Sequence, residues 1–289
     1  MHRILIQLDT DAVPSVFDRV VAVDAGVEDL FSYGGVTPER VEPLVHGAIF
    51  TRGPADLKHT AIFIGGSDVE AGERLFEKVK RSFFGPLHVS VMVDSNGSNT
   101  TAAAAVLAAC RHCNLRGRTA VILGGTGPVG LRAAQLCARE GARVRLGSRS
   151  LERAQAAAAR IVAAVPGAEV TGVTTASPQD AEQACAGAEV LIAAGAVGAQ
   201  LLSATQREAL TSLKVAIDLN AVPLVGLQGI EPTDKAVDRT GVTCYGAIGV
   251  GGTKMKIHKA ALAKLFEAND RLLDTVAIYE IGQGLQGAK

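Results

Sequence analysis

The chain has 289 residues, enough for two domains with their own hydrophobic cores, and 29 basic side chains balance 29 acidic ones. With no acidic or basic block and no apolar run long enough to cross a bilayer, we predict neither a nucleic-acid partner nor a membrane partner. The five cysteines, together with a first segment that lacks the pattern of a secretory signal, predict a protein of the reducing cytoplasm.

Strands and helices alternate along the chain, which is typical of an α/β fold with parallel sheets. Strands are predicted over 3–9, 60–65, 87–94, 118–124, 143–147, 168–174, 189–194 and 214–219. Helices are predicted over 14–25, 37–49, 68–83, 99–113, 128–140, 150–164, 178–186, 203–211, 253–268 and 271–283. We therefore expect a smaller α/β substrate domain over 1–112, completed by the helices of 253–289. A Rossmann-type, parallel-sheet nucleotide-binding domain is expected over 113–252.

Two polar segments follow predicted strands of the first domain. Asp9-Thr10-Asp11 ends the first strand, with Phe17 and Asp18 close behind it on a helix. Asp94-Ser95-Asn96-Gly97-Ser98-Asn99-Thr100-Thr101 follows the strand over 87–94. Helix capping and a turn would explain one or two of these residues. Because eight in succession exceed that need, and because ligands bind at the carboxyl edge of parallel strands, we favour a binding site.

The glycine motif Gly125-Thr126-Gly127-Pro128-Val129-Gly130 lies between an apolar strand and a helical pattern. This context indicates dinucleotide binding. Gly125 is expected in the tight turn, Gly127 allows the backbone to approach a pyrophosphate, and Gly130 allows the helix to pack closely on the strand. The first amides of the helix then bind the phosphates.

The next strand of this domain ends without the acidic residue that binds the ribose of NAD. Ser148 and Arg149 stand there instead, and Arg153 follows one turn into the next helix. Because a guanidinium makes charge-assisted bonds to phosphate, this pattern predicts NADP. The alternative is a solvated helix start in which Glu152 pairs with either arginine. Ala194 and Gly195, where the strand over 189–194 ends, complete the predicted cofactor contacts.

A third segment, Tyr245–His258, is rich in glycine and then in lysine. Thr253 is the predicted cap of a helix that begins with Lys254 and Lys256. Because the helix dipole disfavours lysine in a first turn, the pair indicates an anionic or polar partner. Asn220, after the strand over 214–219, is expected at the same rim.

No histidine, cysteine and acidic residues stand at metal-ligand spacing, so no metal is predicted. Cys110 and Cys113 form a C-x-x-C pair, but no second pair accompanies them. We interpret them as packing residues at the end of a helix.

Over nearly its full length the chain resembles the bacterial NADP-dependent methylene-tetrahydromethanopterin dehydrogenases. The resemblance is carried by these segments: Asp9-Thr10-Asp11, Pro14–Asp18, Tyr33-Gly34, Val36-Thr37-Pro38, Thr51-Arg52-Gly53, Thr60–Phe63, Ala71–Arg74, Phe83–Pro86, Asp94–Ala103, the glycine motif, and Gly251–His258. The chain departs from the pattern at Ser148-Arg149-Ser150, where the NADP-specific relatives carry Gly-Arg-Lys. One cation fewer in that pocket leaves NAD as an alternative cofactor.

The resemblance implies two α/β domains with a cleft between them, and hydride transfer from methylene-tetrahydromethanopterin to NADP in one-carbon metabolism. It also implies a homo-oligomer and tetrahydrofolate as an alternative pterin. Lys256 is the expected catalytic residue, as a substrate-orienting or electrostatic group. The substrate contacts implied are Phe17, Asp18, Asp94, Asn96, Asn99, Thr101, Asn220 and Lys254, the last being the alternative to Lys256. Two rival interpretations are a shikimate- or quinone-type NADP reductase, which would not account for Asp94–Thr101, and a non-catalytic NADP-binding sensor.

Overall fold

The computed structural model describes residues 1–287, in which the chain forms two compact units. Unit 1 comprises Met1–Thr100 and the described chain from Met255 onward, and unit 2 comprises Thr101–Lys254. The first division falls inside a continuous helix, Ser98–Cys110, at whose C-terminal side the expected boundary at residue 112 lies. Because that helix runs unbroken across the division, no turn or change of composition marks it in the sequence.

The strands of the described chain are β1 (Ile4–Asp9), β2 (Asp29–Tyr33), β3 (Thr60–Gly65), β4 (Ser90–Val93), β5 (Thr119–Leu123), β6 (Arg143–Ser148), β7 (Glu169–Thr174), β8 (Val190–Ala193), β9 (Val215–Asp218), β10 (Lys235–Arg239), β11 (Val242–Tyr245) and β12 (Leu272–Leu273). The α-helices are α1 (Val16–Asp24), α2 (Glu42–Ile49), α3 (Val69–Arg81), α4 (Ser98–Cys110), α5 (Pro128–Arg139), α6 (Leu151–Ala164), α7 (Pro178–Cys185), α8 (Ala204–Glu208), α9 (Ala247–Lys264) and α10 (Thr275–Gly287). Short 3₁₀ turns occupy Pro54–His59 and Ser95–Gly97.

Unit 1 is built on a parallel sheet with the strand order β12-β4-β3-β1-β2. Strands β3 and β4 are buried along their whole length, because helices cover both faces of the sheet. The chain leaves β1 towards β2 on one side and returns to β3 on the other, so the strand order reverses between β1 and β3. The loops that follow β1, β3 and β4 meet at the carboxyl edge beside this switch point.

Unit 2 is built on a second sheet with the strand order β10-β11-β9-β8-β5-β6-β7. Its strands are parallel except for β10, which pairs antiparallel with β11. The order reverses between β5 and β8, and this point of a doubly wound sheet is the usual ligand crevice. Both sheets confirm the predicted α/β class.

Several predicted elements differ from the structure. Helix α9 begins at Ala247, so Thr253 is not its cap, and Lys254 and Lys256 lie in its interior. The glycines that suggested a loop instead allow close packing: a Cβ on Gly249 would lie 1.7 Å from the Asp234 carbonyl oxygen. The sequence patterns did not predict β2, β10, β11 and β12, because these strands are short or largely exposed and lack a continuous apolar run.

Among residues 1–287, no helix combines the length and the apolar character that a membrane span requires.

Candidate functional site

A cavity of about 880 Å³ opens at the switch point of the unit 2 sheet. Its wall is formed by the turn after β5, by the ends of β6, β7 and β8, and by the first turns of α6 and α7. Seven of the predicted cofactor residues line it: Thr126, Gly127, Ser148, Arg149, Arg153, Ala194 and Gly195. Gly125, Pro128, Val129 and Gly130 are not part of the lining, and Gly125 and Gly130 are buried behind it.

The glycines of the turn have separate roles. Gly125 lies in the tight turn, as predicted, and the Gly127 amide closes this turn by donating to the Gly124 carbonyl at 3.1 Å. Gly124, the first residue of the turn, has a left-handed backbone with φ of +71°. Gly125 packs against the next strand, where a Cβ would lie 2.6 Å from the Leu146 Cγ. A Cβ on Gly130 would lie 2.4 Å from the Gly124 carbonyl oxygen, so only glycine allows α5 to approach β5 this closely.

Helix α5 begins directly behind this turn and has no side-chain cap. Gly127 is its N-cap, and Pro128 at the first position has no amide to satisfy. The amides that follow are available to an anion, and the helix dipole adds a partial positive charge. The turn can therefore bind a pyrophosphate through its backbone.

The rim of the cavity beyond β6 is cationic. Arg149 and Arg153 are exposed, and in the described chain neither guanidinium forms a hydrogen bond or an ion pair with another residue. Pairing with Glu152, the alternative left open by the sequence, does not occur. Ser148 is buried, and its Oγ accepts hydrogen bonds from the Thr126 hydroxyl and the Ser150 amide, both at 3.3 Å.

Three polar side chains of the cavity lining were not predicted from the sequence. They are Thr175, Ser177 and Gln206, and Ser177 also caps α7 in a reciprocal pair with Asp180. The sequence feature that marks Thr175 and Ser177 is the polar segment Thr174-Thr175-Ala176-Ser177 at the end of a predicted strand, as with Asp94–Thr101.

In unit 1, the Asp94 carboxylate is buried and caps the start of α4. It is 1% exposed, and its Oδ1 accepts the amides of Asn99 and Thr100 at 2.8 and 3.1 Å. Its Oδ2 accepts the Thr100 hydroxyl at 2.6 Å. The structure therefore shows the capping bonds that the sequence offered as the alternative for Asp94, and a direct substrate contact by this carboxylate stays a prediction.

Asn99 is also committed to the fold. Its Nδ2 donates to the Val93 carbonyl at 2.6 Å, and its Oδ1 accepts the Thr275 hydroxyl at 2.7 Å. Thr101 lies on the first turns of α4 and is half-buried. These bonds fix the start of α4 against the end of β4 and against α10.

Asn96 differs from its neighbours, because its side chain is exposed and makes no hydrogen bond within residues 1–287. Its backbone is left-handed, with φ of 55°, and its amide donates to the Gly66 carbonyl at 2.7 Å. Asparagine tolerates this conformation better than most residues. Of the predicted amide contacts, Asn96 alone has an uncommitted side chain.

The Asp9-Thr10-Asp11 segment ties the loops of the edge together. Asp9 is fully buried, and its carboxylate accepts the amides of Asp11 and Ser15 at 2.9 and 3.1 Å. Asp11 accepts the amide and the hydroxyl of Ser67, both at 2.9 Å. This pair joins the loop after β1 to the loop after β3 across the switch point.

Phe17 and Asp18 lie on α1. The Phe17 ring is 49% exposed, and its centroid lies 6.2 Å from that of His258 on α9. Asp18 is half-buried, and its amide donates to the Ser15 hydroxyl, which caps α1.

Lys254 and Lys256 both lie on α9, where residues two apart point to different sides of a helix. Lys256 is exposed, whereas Lys254 is half-buried and is four residues from His258, on the same helical face. The two lysines therefore cannot serve the same contact.

Asn220 is buried in unit 2 and is committed to its own loop. Its Nδ2 donates to the Leu224 carbonyl at 2.9 Å, and its Oδ1 accepts the Val222 amide at 3.2 Å. A direct substrate contact by Asn220 stays a prediction, and the structure shows its side chain bonded within its own loop.

The cysteines are free thiols within packed regions. Burial raises the pKa of Cys185 to about 12 and that of Cys244 to about 11, which keeps both protonated at neutral pH. In the part of the chain that the structure describes, no three histidine, cysteine or acidic side chains are grouped to hold a metal ion.

Comparison with known proteins identifies the family. The family model for "Methylene-tetrahydromethanopterin dehydrogenase, N-terminal" matches residues 16–96. The "Bifunctional protein MdtA" of Methylorubrum extorquens is 46% identical over 97% of this chain and 98% of that protein. The "NAD(P)-dependent methylenetetrahydromethanopterin dehydrogenase" of the same organism is 34% identical over 94% of this chain and 95% of that protein. The chain belongs to the methylene-tetrahydromethanopterin dehydrogenase family. This confirms the resemblance recognised in the sequence.

Solved structures place this dehydrogenase family member among Rossmann-type folds. A shikimate 5-dehydrogenase from Listeria monocytogenes aligns with a TM-score of 0.54 at 12% identity, covering 97% of this chain and 96% of that one. A quinate dehydrogenase from Corynebacterium glutamicum aligns with a TM-score of 0.53 at 14% identity, covering 98% and 99%. At such identities the likeness concerns the fold alone.

Proposed function

We propose that this chain oxidises methylene-tetrahydromethanopterin to the methenyl form and transfers the hydride to NADP, as a step of one-carbon metabolism. The printed activity of the relative that is 34% identical supports the substrate. The cavity of unit 2 supports the cofactor, and its cationic rim is the single observation that carries the choice of NADP.

The residues of the cavity fit NADP. Position 127 has no Cβ that would stand between the phosphates and the backbone, and the amides of α5 are uncapped. Arg149 and Arg153 stand where an NAD-specific site carries an acid, and they have no competing acidic partner in the described chain. Bound NADP supplies the oxidised nicotinamide that accepts the hydride. The NAD(P) in the relative's name is consistent with NAD as a second, weaker cofactor.

The protein has to orient the substrate more than it has to activate it. The two nitrogens that flank the methylene carbon of the substrate can donate electron density as the hydride leaves, so the product is a delocalised cation. No proton is transferred, and no nucleophile is required. The side chains that bind the pterin therefore act by fixing the donor carbon in a productive orientation and by excluding water.

We assign Asn96 and Phe17 as groups that contact the pterin, the first by its uncommitted amide and the second by its exposed ring. Lys256 remains our assignment for the substrate-orienting lysine, with Lys254 as its alternative and with Asp18 and Thr101 as further contacts. Asp94, Asn99 and Asn220 act indirectly, through the backbone that they hold. We further propose that the enzyme is a cytoplasmic homo-oligomer and that it also accepts methylene-tetrahydrofolate.

The test is a panel of donors and acceptors. Purified enzyme is supplied with methylene-tetrahydromethanopterin, methylene-tetrahydrofolate or shikimate, each with NADP or NAD, and reduced cofactor is followed by its absorbance. We expect the highest kcat/KM with methylene-tetrahydromethanopterin and NADP. Turnover of shikimate alone would favour the rival reductase, and cofactor binding without any turnover would favour a sensor.

A further inference from the structure

Four apolar side chains are exposed along the carboxyl edge of the unit 2 sheet. Val197 is 73% exposed, Val222 48%, Leu224 61% and Ile248 60%. They follow β8, β9 and β11, which are neighbours in the sheet. Single exposed apolar side chains are ordinary, but exposed apolar side chains that follow three neighbouring strands indicate a binding surface.

The loops after β8 and β9 form one surface that continues the wall of the cavity. The amides of Leu201 and Leu202 donate to the Gly226 carbonyl at 2.8 and 3.1 Å, and the Gln228 amide donates back to Leu202 at 3.0 Å. The neighbours of Val197 in the chain, Ala196 among them, line the cavity. The loop after β9, which carries Val222 and Leu224, therefore adjoins the proposed cofactor site.

Two buried polar side chains hold the loop that carries Val222 and Leu224. Asp218 is 1% exposed, and its carboxylate accepts the Asn220 amide at 3.0 Å and the Leu227 amide at 2.8 Å. Burial raises the pKa of Asp218, while the bonds from these backbone amides oppose that rise. Asn220 then bonds both Val222 and Leu224 from within the loop. A buried carboxylate that lost these hydrogen bonds would be left without partners, which costs free energy. The bonds to Asp218 therefore hold the loop in one conformation.

We propose that Val222 and Leu224 form an apolar shelf on which the ring of the reduced pterin packs, and that Asp218 and Asn220 are positioning residues that hold the shelf. This inference rests on the proposed function. A dinucleotide lies across the switch point of such a sheet, and the proposed adenosine half is on the β6 side, at Arg149. The nicotinamide half then lies on the β8 side, and the hydride donor must meet it there. The shelf stands one strand further on, at the end of β9.

The test compares Val222→Ser and Leu224→Ser with Val162→Ser. Val162 is 44% exposed on α6 of the same unit and lines no part of the cavity, so it is a matched control. Loss of an apolar contact should raise KM for methylene-tetrahydromethanopterin about tenfold in each shelf variant, with kcat nearly unchanged. NADPH binding, followed by the fluorescence of its nicotinamide, should stay as in the control.

Asp218→Asn tests the positioning role. The amide that it introduces cannot accept from both backbone N–H groups, so the shelf should shift and the same rise in KM should follow, without a matching fall in kcat. A lowered melting temperature with an unchanged KM would make Asp218 merely structural and would overturn its positioning role.

Two results would overturn the shelf. In one, both shelf variants keep the KM of the control while the wild type is active. In the other, NADPH binding weakens at an unchanged KM, which would assign the surface to the nicotinamide. A wild-type enzyme that neither oxidises methylene-tetrahydromethanopterin nor binds tetrahydromethanopterin would overturn the proposed function and the shelf together.

Discussion

The carboxylate of Asp94 accepts the hydroxyl of Thr100 at 2.6 Å, inside a fully buried helix cap. The same carboxylate holds two backbone amides at the start of α4. The polar segment Asp94–Thr101, in which we predicted ligand contacts, therefore contains residues with different roles. Its buried members build the edge of the sheet, and one exposed member, Asn96, is available to a ligand.

We predict that Asp94→Ala destabilises the protein by about 2–4 kcal/mol, because three buried donors lose a charged acceptor. Urea unfolding measures the change. The matched control is Asn96→Gly, which keeps the left-handed backbone at no steric cost and should leave stability nearly unchanged while raising the KM for the pterin. If Asn96→Gly left that KM unchanged, Asn96 would not contact the substrate.

Arg149→Ala should raise the KM for NADP and leave that for NAD almost unchanged. Loss of one charge-assisted bond, about 1.5–3 kcal/mol, corresponds to roughly ten- to a hundredfold. Steady-state kinetics with both cofactors measure the ratio. Arg160→Ala is the control, because Arg160 is an exposed arginine of α6, the helix that follows Arg149, and does not line the cavity. Equal effects of Arg149→Ala on both cofactors would remove Arg149 from the 2′-phosphate.

Lys256→Met should lower kcat/KM for the pterin at least tenfold, with cofactor affinity and folding little changed, because the phosphates are held by a separate loop. Lys254→Met is the internal control, since the two side chains leave α9 on different sides. A severe loss in Lys254→Met beside a silent Lys256→Met would show that Lys254 is the substrate-orienting lysine. Normal turnover in both would remove this helix from the active site.

Acid should weaken unit 2 through Asp234. The hydrogen-bonded Arg239 guanidinium, whose Nε lies 2.5 Å from Oδ2, holds the pKa of this carboxyl below its ordinary value. A depressed pKa in the native state stabilises the fold above the ordinary value, and this contribution is lost as the pH falls through the native pKa. Wild type and Asp234→Asn should therefore differ in urea midpoint near neutral pH and converge in acid. Arg239→Met should remove the same component, and a double variant that is fully additive would contradict the coupling.

The elements that local patterns specify were predictable, and those that tertiary contacts specify were not. The strand–glycine–helix unit at β5 and α5 follows from apolar periodicity and from the spacing of its glycines. The start of α9 could not be predicted from such patterns, because Gly249 is placed by close packing against the chain at Asp234. Strand β2 is short and half exposed, so it owes its conformation to pairing with β1.

Prediction of the candidate site from the sequence has the same limit as prediction of the fold. Its chemistry could be predicted from residue types at strand ends, because carboxyl edges of parallel strands gather ligand-binding groups. The sequence could not predict which of those groups keep a free side chain. Asp94, Asn99 and Asn220 are hydrogen-bonded to partners distant in sequence or within their own loops. The cationic rim at Arg149 was predictable, because there the informative signal is the absence of an acid.

The most direct measurement uses methylene-tetrahydromethanopterin in which both hydrogens of the methylene carbon are replaced by deuterium. Wild-type enzyme is incubated with this donor and NADP, and the NADPH formed is analysed by mass spectrometry. Direct transfer predicts NADPH that carries one deuterium from the donor, formed together with the methenyl product. NADPH without deuterium, or methenyl product without NADPH, would contradict hydride transfer between this pterin and NADP.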